Sequence, residues 1–170
     1  MNRELDKLML HSLEAEQAIL GTLLQQCDLM EKIESVICTQ DFHHGVHQII
    51  FAEMVRQANH PSHHFDIITI FQALKEVNQI DQAGGQSYLA GLVIDNVHST
   101  NLVAYANILR EKSILRQLAA TGREITGSCY QTEGRTAQEI LEASEVALLS
   151  IINQNEASKG SISAQMALHE

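Results

Sequence analysis

"NLVAYANILREKSILRQLAATGREITGSCYQTEGRTAQEILEASEVALLSIINQN", Asn101 to Asn155, is the stretch whose reading decides the fold. From Asn101 to about Gly127, Leu102, Tyr105, Leu109, Ile114, Leu115, Leu118 and Ile125 recur at helical spacing. "CYQTEGR" then reads as a turn, with Gly134 as the breaker. Thr136 to Glu139, "TAQE", is a capping box: hydroxyl and carboxylate each satisfy an orphan amide at a helix start. A second helix should run from there to about Asn155. Two long helices joined by a short loop make an antiparallel hairpin. Each helix can bury only one face against its mate. Yet Leu148, Leu149, Ile151 and Ile152 nearly encircle one turn, and Ile140, Leu141 and Val146 widen the stripe. Fully burying one Leu or Ile is worth roughly 1.5–3 kcal/mol, so the uncovered part should find another surface. That surface reads as an oligomer interface.

Outward from the hairpin, the rest of the chain is also helical. Ala, Leu, Ile, Gln and Glu dominate, there is one proline, and alternation of the strand kind is hard to find. Ser12 is an expected N-cap, with Glu14 and Glu16 in the first turn, where they suit the positive end of the helix dipole. The stripe Ala15, Ile19, Leu20, Leu23, Leu24 carries that helix to about Gln26. A short helix is expected from Met30 to Ile37. Another runs from Val46 to Ala58, with Ile49, Ile50, Phe51 and Met54 inward. Pro61 in "NHPSHHFD" breaks the pattern. Asp66 caps a helix to about Val77, with Ile67, Ile70, Phe71 and Leu74 facing in, and a short helix covers Gln86 to Ile94. The fold class expected is all-α: an orthogonal helical bundle followed by a long antiparallel helical hairpin. Its divisions are an N-terminal arm at 1–11, a bundle at 12–98, the hairpin at 99–155 and a linker at 156–170, where composition changes at Ser158-Lys159-Gly160-Ser161.

Bulk properties bound the function. A chain of 170 residues fits one domain, or one with an appendage. Its apolar runs are only a few residues long, whereas a membrane-spanning helix needs about 20, and the N-terminus has no signal-peptide core. The chain reads as soluble and cytoplasmic. Net charge is −10, with 11 basic against 21 acidic residues, which disfavours direct, tight DNA binding and favours a basic protein partner. Cys27, Cys38 and Cys129 are odd in number and widely spaced, so they read as buried reduced thiols.

Candidate chemistry is thin. Six histidines lie between residues 43 and 64. His43 and His47 stand four apart, within reach of one metal on a helical face. No Asp, Glu or Cys follows at the next helical spacings, however, and Gly45 interrupts the turn. Solvated loop histidines, with His47 packing locally, are the expectation, and no metal is assigned. No nucleophile–base set can be named. Gly84-Gly85, in "QIDQAGGQSYLAGLV", lacks the lysine of a phosphate loop and the preceding strand of a dinucleotide loop. Asp81, Gly84 and Gly85 read instead as a structural turn, with Tyr88, Leu89 and Leu92 anchoring the next helix. Arg110, Lys112, Arg116 and Arg123 are interleaved with Glu111 and Glu124, so a solvated or ion-paired face is the default and a docking surface the rival.

Four segments together carry a resemblance: "HSLEAEQAILGTLL", "DFHHGVHQIIFAEM", "FDIITIFQALKEVNQIDQAGGQSYLAGL" and "STNLVAYANILREKSILRQL". In this order and separation they resemble the N-terminal domain of the bacterial replicative DNA helicase, the DnaB family, over about residues 10–155. Leu10 stands where that family usually has a proline, Phe65 replaces a typical Ile, and "NHPSHHFD" is longer and richer in His than the usual loop. The resemblance implies a non-catalytic assembly domain whose hairpins pair between subunits as a trimer of dimers in a hexamer. It also implies docking of primase and of a helicase loader. ATP and Mg are expected only in a separate C-terminal motor domain beyond residue 170, with no cofactor here. Leu118, Ile125, Leu141, Leu148 and Ile152 are the residues expected at the subunit interface, and Arg116 and Arg123 those for partner contact. An alternative is another helical replication module, such as the helicase-binding region of a primase, which has a related architecture.

Overall fold

The computed structural model describes residues 10–60, 64–95 and 101–166, with side chains through residue 155. Within them the chain forms seven α-helices and two short 3-10 turns. These are α1 (Leu13–Gln25), a 3-10 turn (Cys27–Leu29), α2 (Met30–Ile33), a second 3-10 turn (Thr39–Asp41), α3 (Gly45–Ala58), α4 (Ile67–Glu76), α5 (Gly85–Asp95), α6 (Leu102–Tyr130) and α7 (Ala137–Met166). No strand occurs among the described residues, in agreement with the all-α expectation. Among the described residues no helix is long and apolar enough to cross a membrane.

Helix α1 is the centre of the bundle. Ser12 Oγ accepts from the Ala15 amide at 3.3 Å, the expected cap. From Ala15 to Leu24 every residue but Gln17 is buried, and α3, α5 and α6 pack around it. A helix apolar on nearly all sides belongs in the interior. Around it Ile50, Phe51, Met54, Ile70, Leu74 and Leu89 are all essentially inaccessible, and the Phe42 and Phe51 rings meet at 4.8 Å between centroids. Leu102, Ala106 and Leu109 belong to the same core, so the first turns of α6 are part of the bundle as well as of the hairpin. The bundle–hairpin boundary expected at 98–99 and the Pro61 break lie outside the described residues, as does most of the N-terminal arm.

Two local expectations change. The helix expected over Met30–Ile37 is shorter, ending at Ile33 after a 3-10 turn that begins at Cys27. The second hairpin helix, expected to end near Asn155, continues instead through Met166, into the segment expected as a linker. Gly160 costs an interior helix only about 1 kcal/mol, which does not force a break. Other readings match closely. Asp66 and Thr69 exchange side-chain and backbone bonds at 2.8 and 2.9 Å to start α4. The Thr136–Glu139 box closes at 2.7 Å from the Thr136 amide and 3.2 Å from the Glu139 amide.

The turn between α4 and α5 explains its glycine pair. Asn78 takes a positive φ of 57° at the end of α4, and Gly84 and Gly85 follow at 86° and 77°. The Gly84 amide donates to the Asp81 carbonyl at 3.2 Å and the Gly85 amide to Ile80 at 2.9 Å. A Cβ at Gly84 would lie 2.8 Å from the Tyr88 ring, whereas one at Gly85 would meet open space. Gly84 therefore lets Tyr88 fold back beneath the turn.

Candidate assembly interface

The hairpin seam sorts the apolar residues into two sets. Ile140 and Ile151 on α7 are buried against the rest of the chain. Leu118 on α6 is exposed, as are Leu141, Val146, Leu148, Leu149 and Ile152 on α7, at 40–67% of their surfaces. Ile125 is half-buried and lines a groove between its own two helices, with Thr121, Ser128, Ile140, Ala143, Ser144 and Ala147. Small side chains there leave the distal seam partly open. Of the five residues expected at a subunit interface, Leu118, Leu141, Leu148 and Ile152 thus face outward, and Ile125 faces the groove.

The basic residues of α6 sort differently from the sequence expectation. Arg110 points inward to Asp41, which is fully buried, with Nη1 at 2.9 and 3.1 Å from the two carboxylate oxygens. Its Nη2 donates to the Gln154 carbonyl on α7 at 2.9 Å. Arg116 donates to the carbonyls of Leu10 at 2.8 Å and Asp41 at 2.5 Å. Burial lowers the Arg116 pKa, opposed by Glu16 and Asp41. Arg110 is thus ion-paired, as one arm of the expectation had it, though with a buried carboxylate on another element, and Arg116 is not solvated: both tie α6 to the turn before Phe42, and Arg110 also ties it to α7. Arg123 is exposed on the distal half of α6. Asp41 was invisible as a partner in the sequence, because Arg110 is 69 residues away.

A second polar cluster joins α1 to the start of α3. Glu16 is wholly buried and accepts from the His43 amide at 2.9 Å and the His44 amide at 3.3 Å. Its Oε2 also lies 3.0 Å from His44 Nδ1 and 2.5 Å from His47 Nδ1. His47 Nε2 reaches the Tyr88 hydroxyl at 2.5 Å, and Gln17 Nε2 donates to that hydroxyl at 3.3 Å. Burial pushes the Glu16 carboxyl up, but bonds from His47, the His43 amide and His44 outweigh it and hold the pKa at about 2. Glu16 is thus not a solvated first-turn acid, and His47 is not merely packed locally. A signal was available: Glu16 stands three, four and seven residues before Ile19, Leu20 and Leu23, on the inward stripe itself.

Of the three cysteines only Cys27 is buried; Cys38 and Cys129 are exposed, contrary to the expectation of three interior thiols. Cys27 Sγ lies 2.7 Å from His64 Nδ1.

Comparison with known proteins agrees with this architecture. Residues 8–111, more than half of the chain, match the family model of the DnaB-like helicase N terminal domain. The chain belongs to that family. It is 36% identical over 138 residues to the replicative DNA helicase DnaB of Pasteurella multocida, covering 79% of this chain and 29% of that protein. It is 34% identical over 157 residues to the DnaB of Buchnera aphidicola subsp. Baizongia pistaciae, covering 91% and 34%. The chain therefore spans about a third or less of the length of these DnaB relatives. The N-terminal domain of DnaB helicase from Mycobacterium tuberculosis superposes with a TM-score of 0.77 at 24% identity, covering 82% of this chain and 97% of that one. That likeness bears on the fold, and it shares the all-helical architecture.

Proposed function

We propose that this DnaB-type domain assembles subunits by pairing hairpins, in a trimer of dimers within a hexamer, and that the resulting collar docks primase and a helicase loader. It serves an ATP-dependent DNA helicase of the cytoplasm whose ATP and Mg chemistry lies outside this chain. The observation that supports the reading is the outward row Leu118, Leu141, Leu148 and Ile152, which nothing among the described residues covers. Each still has about half of its surface to bury, worth roughly 1 kcal/mol or more per residue. Summed over two copies, that is enough to matter against the cost of association. Arg116 is committed to two carbonyls of its own chain, so Arg123 is the residue we assign to partner contact.

The test is the mass of the 170-residue chain in size-exclusion chromatography with light scattering. Dimers or larger species are expected, and Leu148→Glu combined with Ile152→Glu should give a folded monomer. A strict monomer of the parent chain at high concentration refutes the pairing. Titration with primase addresses docking separately: Arg123→Glu should weaken binding while leaving the oligomer intact.

A further inference from the structure

We infer that Glu16, His44 and His47 form a binding site for a divalent transition-metal ion of the zinc type at the junction of α1 and α3. The three donor atoms, Glu16 Oε2 and the Nδ1 atoms of His44 and His47, lie within 4.8 Å of one another. A tetrahedral ion with bonds of about 2.0–2.1 Å needs its donors roughly 3.3 Å apart. The observed carboxylate–imidazole separations of 3.0 and 2.5 Å therefore need to widen by less than about 1 Å to admit it. Two imidazoles and one carboxylate are a donor set that zinc and its neighbours accept, and one that calcium and magnesium do not favour.

The surroundings supply what such a site needs beyond its ligands. His47 and Glu16 are buried, so two of the three donors are held in place, while His44 is 35% exposed and opens the cluster to solvent. Without an ion, each imidazole can donate its Nδ1 proton to the carboxylate. With an ion bound, that proton resides on Nε2 instead. For His47, the Nε2–H then points at the Tyr88 hydroxyl, whose oxygen accepts it. A ligating histidine held from behind in this way is the usual arrangement of a metal site. Glu16 keeps its other oxygen on the His43 amide, which fixes the carboxylate. An independent observation lies at the rim. His11 stacks on His43 at 4.6 Å and meets the His44 ring edge-on at 5.4 Å, yet its Nδ1 is buried with no hydrogen-bond partner among the described residues. A buried orphan nitrogen beside three converging donors is what an ion, or a water bound to it, satisfies. Sequence spacing paired His43 with His47; the fold instead sets His44 and His47 against a carboxylate from a helix 28 and 31 residues earlier.

The experiment uses the full chain without an affinity tag, stripped with chelator and dialysed, then titrated with Co²⁺ and with Zn²⁺. One ion per chain is expected, with the ligand-field bands of tetrahedral cobalt and a raised melting temperature. His44→Ala should weaken binding at least tenfold. It removes a half-exposed side chain that makes no capping bond at the start of α3, so the fold is retained. Tyr88→Phe should weaken binding about tenfold by removing the support behind His47. His60→Ala with His64→Ala should leave affinity within about twofold. No saturable binding at one ion per chain overturns the inference. So does equal affinity in His44→Ala, or loss of binding in the His60/His64 variant, which would place the ion on surface histidines.

Discussion

Replacing Arg110 with Met should show how strongly the hairpin is tied to the bundle. Asp41 is fully buried and Arg110 nearly so, and their two bonds are 2.9 and 3.1 Å long. Removing one partner of a buried ion pair costs about 3–5 kcal/mol, because the other charge stays behind without compensation. Asp41 keeps the Cys38 amide at 2.8 Å and the Cys38 thiol at 3.4 Å, which places the loss near the lower end, about 3 kcal/mol. The bond from Arg110 to the Gln154 carbonyl disappears as well, releasing α7 from the bundle at that point. For a domain of this size, the melting temperature should fall by roughly 6–12 °C. Urea unfolding followed by far-ultraviolet circular dichroism, at one fixed protein concentration, measures the loss directly. The double variant Asp41→Asn/Arg110→Met, which removes the stranded charge, should recover at least half of it. A single variant within about 1 kcal/mol of the parent refutes the reasoning, as does a double variant no better than the single.

Acid should act through Glu16. Its pKa is lowered from an ordinary 4.5 to about 2, so its stabilising effect is fully present above about pH 4.5 and lost as pH falls toward 2. At most about 3 kcal/mol is involved, and Glu16→Gln should flatten that part of the stability profile measured by urea unfolding across the range. The two glycines of the α4–α5 turn should respond unequally. Gly85→Ala meets only its positive φ, about 1 kcal/mol. Gly84→Ala also drives a Cβ into the Tyr88 ring, which His47 and Gln17 hold in place, for about 3 kcal/mol in all. Equal melting temperatures for the two variants contradict this account of the turn.

The elements of this protein were determined by its sequence almost alone, because they rest on local chemistry. The Ser12, Asp66 and Thr136 caps, the inward stripes of α1, α3 and α4, and the breaker at Gly134 each act within four residues or one helical period. Even the exposed apolar residues of α7 followed from counting residues around one of its turns. What only the tertiary structure decided is which polar groups meet. Arg110 and Arg116 looked like a charged surface, since periodicity along α6 says nothing of a carboxylate and a carbonyl 69 and 75 residues earlier. Glu16 looked like a dipole-favoured first-turn acid, because the donors that make its burial tolerable lie 27 to 31 residues away on another element. Periodicity reports how a helix meets an average apolar interior. The pairing of a single buried charge depends on where two helices cross, and that is set by the packing of the whole core.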